Sequence, residues 1–290
     1  MKGFPVEYRG LVYSTGGDKY IGEFSYDLAV TIPNFLKTYN PDLQGQSEGD
    51  SVPFTQGINL NAAIVEAKIA DVPKQVTYLV NTLKTQYNTT VDFDEDWKLL
   101  TLFIGANNLC ICCHNDSRGT PQYFETHLRD ILQQIETNIP RTFVNLVALF
   151  NISGVWTAGE QHEYCSILWD GITVGECGCL LEYGNEERKS MDEHSVLYNE
   201  VMYKVAAEFA SKNNANFTVV VQPGLSGFDI GYFGEGYLSA LDCFHPSLPA
   251  NEAFTIALWN NMLTPPPNKK TTIDPSNVKI LCPTEDSFFQ

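Results

Sequence analysis

Basic side chains are scarce in this 290-residue chain: 18 Lys and Arg stand against 35 Asp and Glu, for a formal charge of −17. A field of that sign repels phosphate backbones and argues against a nucleic-acid partner. It also opposes electrostatic docking on anionic membranes, while leaving hydrophobic contact with lipid open. Long apolar runs are missing as well. No stretch approaches the roughly 20 apolar residues of a membrane-spanning helix, and the opening MKGFPVEYRGLVY has no apolar signal-peptide core. The sequence contains no internal repeat and no low-complexity segment.

Hydrophobic residues make up 43% of the chain, enough for the core of one large α/β domain or two small ones. Eight cysteines occur: Cys110, Cys112, Cys113, Cys165, Cys177, Cys179, Cys243 and Cys282. Cys110-Ile-Cys112-Cys113-His114 together with Cys177-Gly-Cys179 admits a zinc reading, but neither half repeats the two-residue thiolate spacing of structural zinc sites. Four Asn-x-Ser/Thr sequons, at Asn88, Asn115, Asn151 and Asn216, favour an oxidising secretory compartment and hence disulfides. Spacing alone leaves their connectivity open.

The hydrophobic pattern predicts strands alternating with helices. Leu99–Ile104, ended by Gly105, is a near-continuous apolar run of the kind buried on both faces of a parallel sheet, and 142–153 and 216–223 read likewise. Helices are predicted from about Asp27 to Tyr39, through about Thr85, over 121–138, 187–212 and about 249–263, with a Cys-rich loop at 160–182. This alternation implies a parallel α/β sheet with helices on both faces, and ligands in such sheets gather at the carboxyl ends of the strands.

Two groups at those ends carry chemistry. Gly105-Ala106-Asn107-Asn108 offers a glycine for a sharp strand exit and an Asn amide suited to an oxyanion, against the plainer reading of a turn or helix cap. Asp242 and His245, three residues apart, let a carboxylate hold His Nδ1 and leave Nε2 as a general base; the plainer reading is a cap on the following helix. The remaining histidines, His114, His127, His162 and His194, fall in polar loops or on helix faces and are expected to be solvated.

IGANN resembles the Gly-x-Asn-Asp block of SGNH (GDSL-type) hydrolases, and DCFH resembles their C-terminal Asp-x-x-His block. Beyond the motifs, YRGLVYSTGGDKYIGEFSYDLAVTIPNFLKTYNPDLQGQS, DWKLLTLFIGANNLC, PRTFVNLVALFNI, FTVVVQP and LDCFHPSLPANEAFTIALWNNML resemble membrane-associated phospholipase B over nearly the whole chain. The resemblance implies a three-layer α/β/α SGNH-hydrolase-like fold in one domain over 1–265, with a tail over 266–290 tied back through Cys282. It implies that Asn107 and Gly105 contribute to an oxyanion hole, that His245 is the base and that Asp242 orients it. Disulfides are implied among Cys110, Cys113, Cys165, Cys177, Cys179, Cys243 and Cys282, with Cys112 the odd one out.

The chain departs from the family pattern at three places. Asn108 stands where the motif has Asp, and Glu66 near a position where the family has a glycine whose N–H joins the oxyanion hole. The family's nucleophile lies in a Gly-Asp-Ser block after the first strand, and no such block occurs here: STGGDKY places Lys19 after the Asp, with Ser14 and Thr15 in the wrong order. The expectation is therefore a sheet lacking its first strand, with Met1 an internal start of a longer secretory protein. By resemblance the function is phospholipid or lysophospholipid hydrolysis through an acyl-serine, at a lipid or membrane surface, extracellular or on the cell surface, with no metal or organic cofactor. The alternatives are a catalytically silent lipid-binding relative and, last, a structural or interaction protein.

Overall fold

The computed structural model describes residues 6–19, 28–171, 176–277 and 279–290. Three parallel strands, β1 (Lys98–Leu102), β2 (Thr142–Val147) and β3 (Phe217–Gln222), form a sheet in the order β1-β2-β3. The register aligns Leu100 with Val144 and Val144 with Val219. The expected start of a helix at Asp27, and Met1, lie outside the described residues.

The helices are α1 (Ile32–Lys37), α2 (Val72–Thr85), α3 (Ala106–Leu109), α4 (Pro121–Asn138), α5 (Ser153–Gly159), α6 (Glu163–Gly171), α7 (Gly178–Leu181), α8 (Asn185–Ser211), α9 (Ile230–Phe233) and α10 (Leu248–Met262). Their starts follow local chemistry. Thr31, Thr120 and Ser247 each accept a backbone N–H of the first turn, and each is followed within two residues by a proline whose missing N–H costs nothing there.

Side chains alternate along a strand, so the two faces of the sheet separate by parity. Phe217 meets Phe209 of α8 at 5.9 Å between ring centroids. On the other face, Phe143 packs near Phe289 of the tail and Asn145 Nδ2 lies 3.5 Å from Met262 Sδ of α10. Helices α4 and α8 form one outer layer, joined by Phe124 stacked on Tyr198 with centroids 4.3 Å apart. The three layers are those expected of the α/β class.

β2 is buried almost throughout, whereas β1, although composed of Lys-Leu-Leu-Thr-Leu, buries only Leu102 fully. Among the described residues no strand pairs with the outer edge of β1. A groove of about 510 Å³ runs beside that edge, with Ile32, Leu36, Leu60, Val91 and Leu99 in its wall. An apolar strand with an open edge is unusual, because its unpaired N–H and C=O groups invite another strand.

Two sequence expectations are corrected. The strand expected over 142–153 stops at Val147, and α5 begins at Ser153. Beyond it the Asn199 amide occupies the Leu149 backbone, accepting its N–H and donating to its C=O at 2.8 Å each, which takes the place of ladder bonds. The region expected as a loop over 160–182 instead carries α6 and α7. Helices of nine and four residues are too short to announce themselves by periodicity, and isolated they would be marginal.

Three disulfides join Cys110 to Cys177, Cys113 to Cys179, and Cys165 to Cys243. Cys112 is free. Cys282 is also free and exposed, so it does not tie the tail. The tail is held by hydrogen bonds: Trp259 Nε1 donates to Leu281 O, Leu281 N to Asn260 Oδ1, and Gln290 N to Met262 O, each at 2.8 Å.

Candidate active site

The loop between β3 and α10 turns back on itself to present the Asp-His pair. Ser239 N donates to His245 O and Cys243 N to Ser239 O, both at 2.7 Å, and Leu238 bridges Pro246. Cys243 takes a left-handed conformation, φ 51°, between the two functional residues. A non-glycine residue there is strained. It is fixed from the α6 side by the Cys165 disulfide and by Trp169 Nε1, which donates to Cys243 O at 3.2 Å.

Asp242 is only 3% exposed. Its Oδ2 lies 2.7 Å from His245 Nδ1, and its Oδ1 accepts the backbone N–H groups of Phe244 and His245 at 2.9 and 3.0 Å. Burial pushes the Asp242 carboxyl upward, but the imidazole and the two amides outweigh it and hold it below its ordinary value. For His245 burial pulls downward; the hydrogen bond and charge of Asp242, then the charge of Glu176, leave it raised. The imidazole remains 39% exposed.

Glu176 was not singled out in the sequence. It directly precedes Cys177, and the Cys110–Cys177 disulfide brings its Oε1 to 3.8 Å from His245 Nε2. Its side chain is 8% exposed, and burial raises its carboxyl, with His245 opposing and Asp242 and Glu66 adding to the rise. Glu66, Glu176, Asp242 and His245 therefore share one electrostatic neighbourhood. No local pattern around Glu176 in the sequence marks it, since its partners are 66 and 69 residues away.

The Asn block divides its labour. Gly105 adopts φ 124°, and a Cβ there would stand 3.0 Å from Leu149 and 3.1 Å from Phe124, so only glycine fits this strand exit. Asn107 is half-buried and its Nδ2 donates to Ala67 O at 3.1 Å. That bond ties the strand end to the segment holding Glu66, whose φ of 61° is a left-handed value suited to glycine. Asn108 is fully buried, accepting from Ile69 N at 2.9 Å and donating to Arg118 O at 2.8 Å. Its amide serves as a brace between two loops.

A GDSL-like lipase/acylhydrolase family model matches residues 14–258. The chain belongs to the GDSL-like lipase/acylhydrolase family. Among curated proteins it is 33% identical over 288 residues to human "Phospholipase B1, membrane-associated" and 33% identical over 293 residues to the mouse protein of that name. These alignments cover 97% and 98% of this chain but 19% of each relative, so the chain spans about a fifth of the length of the proteins it matches. Among solved structures, an acetyl xylan esterase from Geobacillus stearothermophilus aligns over 79% of this chain and 77% of its own, with 14% identity and a TM-score of 0.35.

As a GDSL-family α/β protein, the chain places its Asp-x-x-His block and its Gly-x-Asn block as described. Cys113, His114 and Cys179 bring ligand atoms within 4.8 Å of one another, yet Cys113 and Cys179 are bonded to each other, which removes the thiolates a metal would need. All four sequon asparagines, Asn88, Asn115, Asn151 and Asn216, are exposed. Among the described residues no helix is long and apolar enough to cross a membrane. Of the other histidines, His162 pairs with Glu235 at 2.9 Å, while His127 and His194 bond to backbone carbonyls of their own helices.

Proposed function

We propose that this chain supplies the acid–base and oxyanion half of a lipid-ester hydrolase that cleaves phospholipids or lysophospholipids through an acyl-serine. The observation that carries the reading is the Asp242–His245 pair, 2.7 Å apart, with its carboxylate immobilised by two backbone amides. Such a pair fixes the imidazole so that Nε2 accepts a proton from an attacking hydroxyl, and Asp242 stabilises the imidazolium that forms. The Asn107 amide and the backbone N–H of the Glu66 segment would stabilise the tetrahedral oxyanion, with Gly105 setting the strand exit.

The nucleophile is proposed to be a serine on a strand that pairs with the open edge of β1, a reading supported by the half-exposed apolar strand and the groove beside it. His245 Nε2 takes the serine proton, the serine oxygen bonds the acyl carbon, and collapse expels the alcohol, which receives the proton. Water then repeats the sequence on the acyl-serine. The setting proposed is extracellular or at the cell surface, in keeping with three disulfides and four exposed sequons.

Glu176 opposite Nε2 favours a second reading, a lipid-binding relative without turnover, because a second carboxylate stabilises the imidazolium, the wrong state for a base. Fatty-acid release from phosphatidylcholine and lysophosphatidylcholine separates the two. The chain carrying an added Gly-Asp-Ser strand should release fatty acid, and His245→Ala in it should lower turnover by a factor on the order of 10⁶. Lipid binding with no release would establish the second reading.

A further inference from the structure

Far from the Asp-His pair, a second cavity of about 650 Å³ opens between α1, the end of α10 and the tail. Helix α10 starts three residues beyond His245 and reaches the cavity at Trp259, about 17 Å along its axis. Apart from Leu36, which also stands in the wall of the groove beside β1, the cavity shares no lining residue with the machinery described above. Its volume is in the range of small-molecule sites, about 300–1,000 Å³.

Four aromatic rings from three segments line it: Tyr39 after α1, Trp259 on α10, and Phe288 and Phe289 in the tail. Trp259 is the buried anchor. Tyr39 stacks over it with centroids 6.1 Å apart and planes 17° apart, and Phe289 meets it edge-on at 6.4 Å and 73°. Tyr39 is 56% exposed and Phe288 69% exposed, so both rings are accessible to a ligand from solvent. Glu285 is the single charged residue in the lining, and no Lys or Arg joins it.

Aromatic faces present negative potential, and a carboxylate beside them adds a full negative charge. With the chain's charge of −17, the Glu285 carboxylate in the wall favours a cation over an anion here. Besides Glu285 the polar side chains of the wall are Thr284 and Ser287, whose hydroxyls bond each other at 3.2 Å; the rest is apolar, which suits a cation that needs few hydrogen-bond acceptors around it. A fatty-acid carboxylate would face Glu285 and be repelled. A primary ammonium would have only Glu285 and the Thr284 and Ser287 hydroxyls to replace its hydration.

We propose that this cavity binds the quaternary ammonium of a choline headgroup, holding the protein on a choline-bearing lipid surface. The choice of a lipid as the source of that headgroup rests on the lipid-ester reading above; the preference for quaternary ammonium rests on the cavity alone.

Titration calorimetry of the full chain with choline chloride, with ammonium chloride at matched ionic strength as control, tests the chemistry. Saturable binding of choline but not ammonium is expected. The surface variants Tyr39→Ala, Phe288→Ala and Glu285→Gln should each weaken it by between about twofold and about thirtyfold. Flotation with phosphatidylcholine vesicles against phosphatidylglycerol vesicles tests the source, and only the former should carry the protein, less so for the variants. Binding of decanoate without choline would make the cavity an acyl site and overturn the proposal. So would absence of choline binding, or capture of a trimethyl-lysine peptide with no attachment to phosphatidylcholine. Because every readout is binding, the result stands apart from the hydrolysis assay: either can fail alone.

Discussion

Glu176 and Asp242 bracket His245 from its two ring nitrogens, Glu176 Oε1 at 3.8 Å from Nε2 and Asp242 Oδ2 at 2.7 Å from Nδ1. One imidazole between two carboxylates is biased toward its charged form, and the bias has measurable consequences.

His245 is raised above the ordinary 6.5 of an imidazole because Asp242 and Glu176 together outweigh burial. The pairing therefore contributes stability fully present below 6.5 and lost as pH rises through the folded value, while a base function emerges over that same rise. Glu176→Gln should move the imidazole titration, followed by NMR, toward lower pH, and Asp242→Asn should move it further. A curve that does not move in Glu176→Gln would remove Glu176 from the site.

Asp242 is held below its ordinary 3.8, so its stabilisation is present above that value and fades as pH falls through the folded one. Asp242→Ala leaves two half-buried backbone amides without their acceptor and should cost about 1 kcal/mol or more near neutral pH. Urea unfolding at a series of pH values should show the gap to wild type closing in acid.

Cys165→Ser should cost about 2–5 kcal/mol, the usual range for a native disulfide. The loss should centre on the loop that Cys243 anchors. Hydrogen exchange should speed up at the Phe244 and His245 amides, which donate to Asp242 Oδ1, more than at the strands. Uniform acceleration would mean the disulfide acts only on global stability.

Two thiols are free and they differ. Cys282 is exposed, whereas Cys112 is half-buried and burial pushes its thiol up to about 11. An aromatic disulfide reagent at pH 8 should label Cys282 quickly and Cys112 only on unfolding. Rapid labelling of both would place Cys112 at the surface.

Asn108→Asp keeps the acceptor for Ile69 N but sets a carboxylate against Arg118 O in a fully buried site. A loss of about 1–3 kcal/mol in thermal or urea unfolding is expected. Unchanged stability would mean the Arg118 loop shifts at no cost.

The alternation of apolar strands and helices was legible in the sequence because it is written in short-range periodicity. Helix α4 occupies 121–138 as read, bounded by its threonine cap and by Pro140, and β3 falls within 216–223. The Asp242–His245 pair was legible for the same reason: three residues of one loop close the contact. Gly105 was legible through its stereochemistry, since only glycine accepts its φ in so crowded a place. What the tertiary structure alone decided involves partners far apart in the chain. The three disulfides span 66 to 78 residues, and spacing does not rank their pairings. Glu176 reaches His245 only through one of them, Asn108 braces loops on either side of it, and Cys243 holds a left-handed turn by virtue of a bond to α6. A sequence records local preference residue by residue; which distant groups share a pocket is fixed only when the core closes around them.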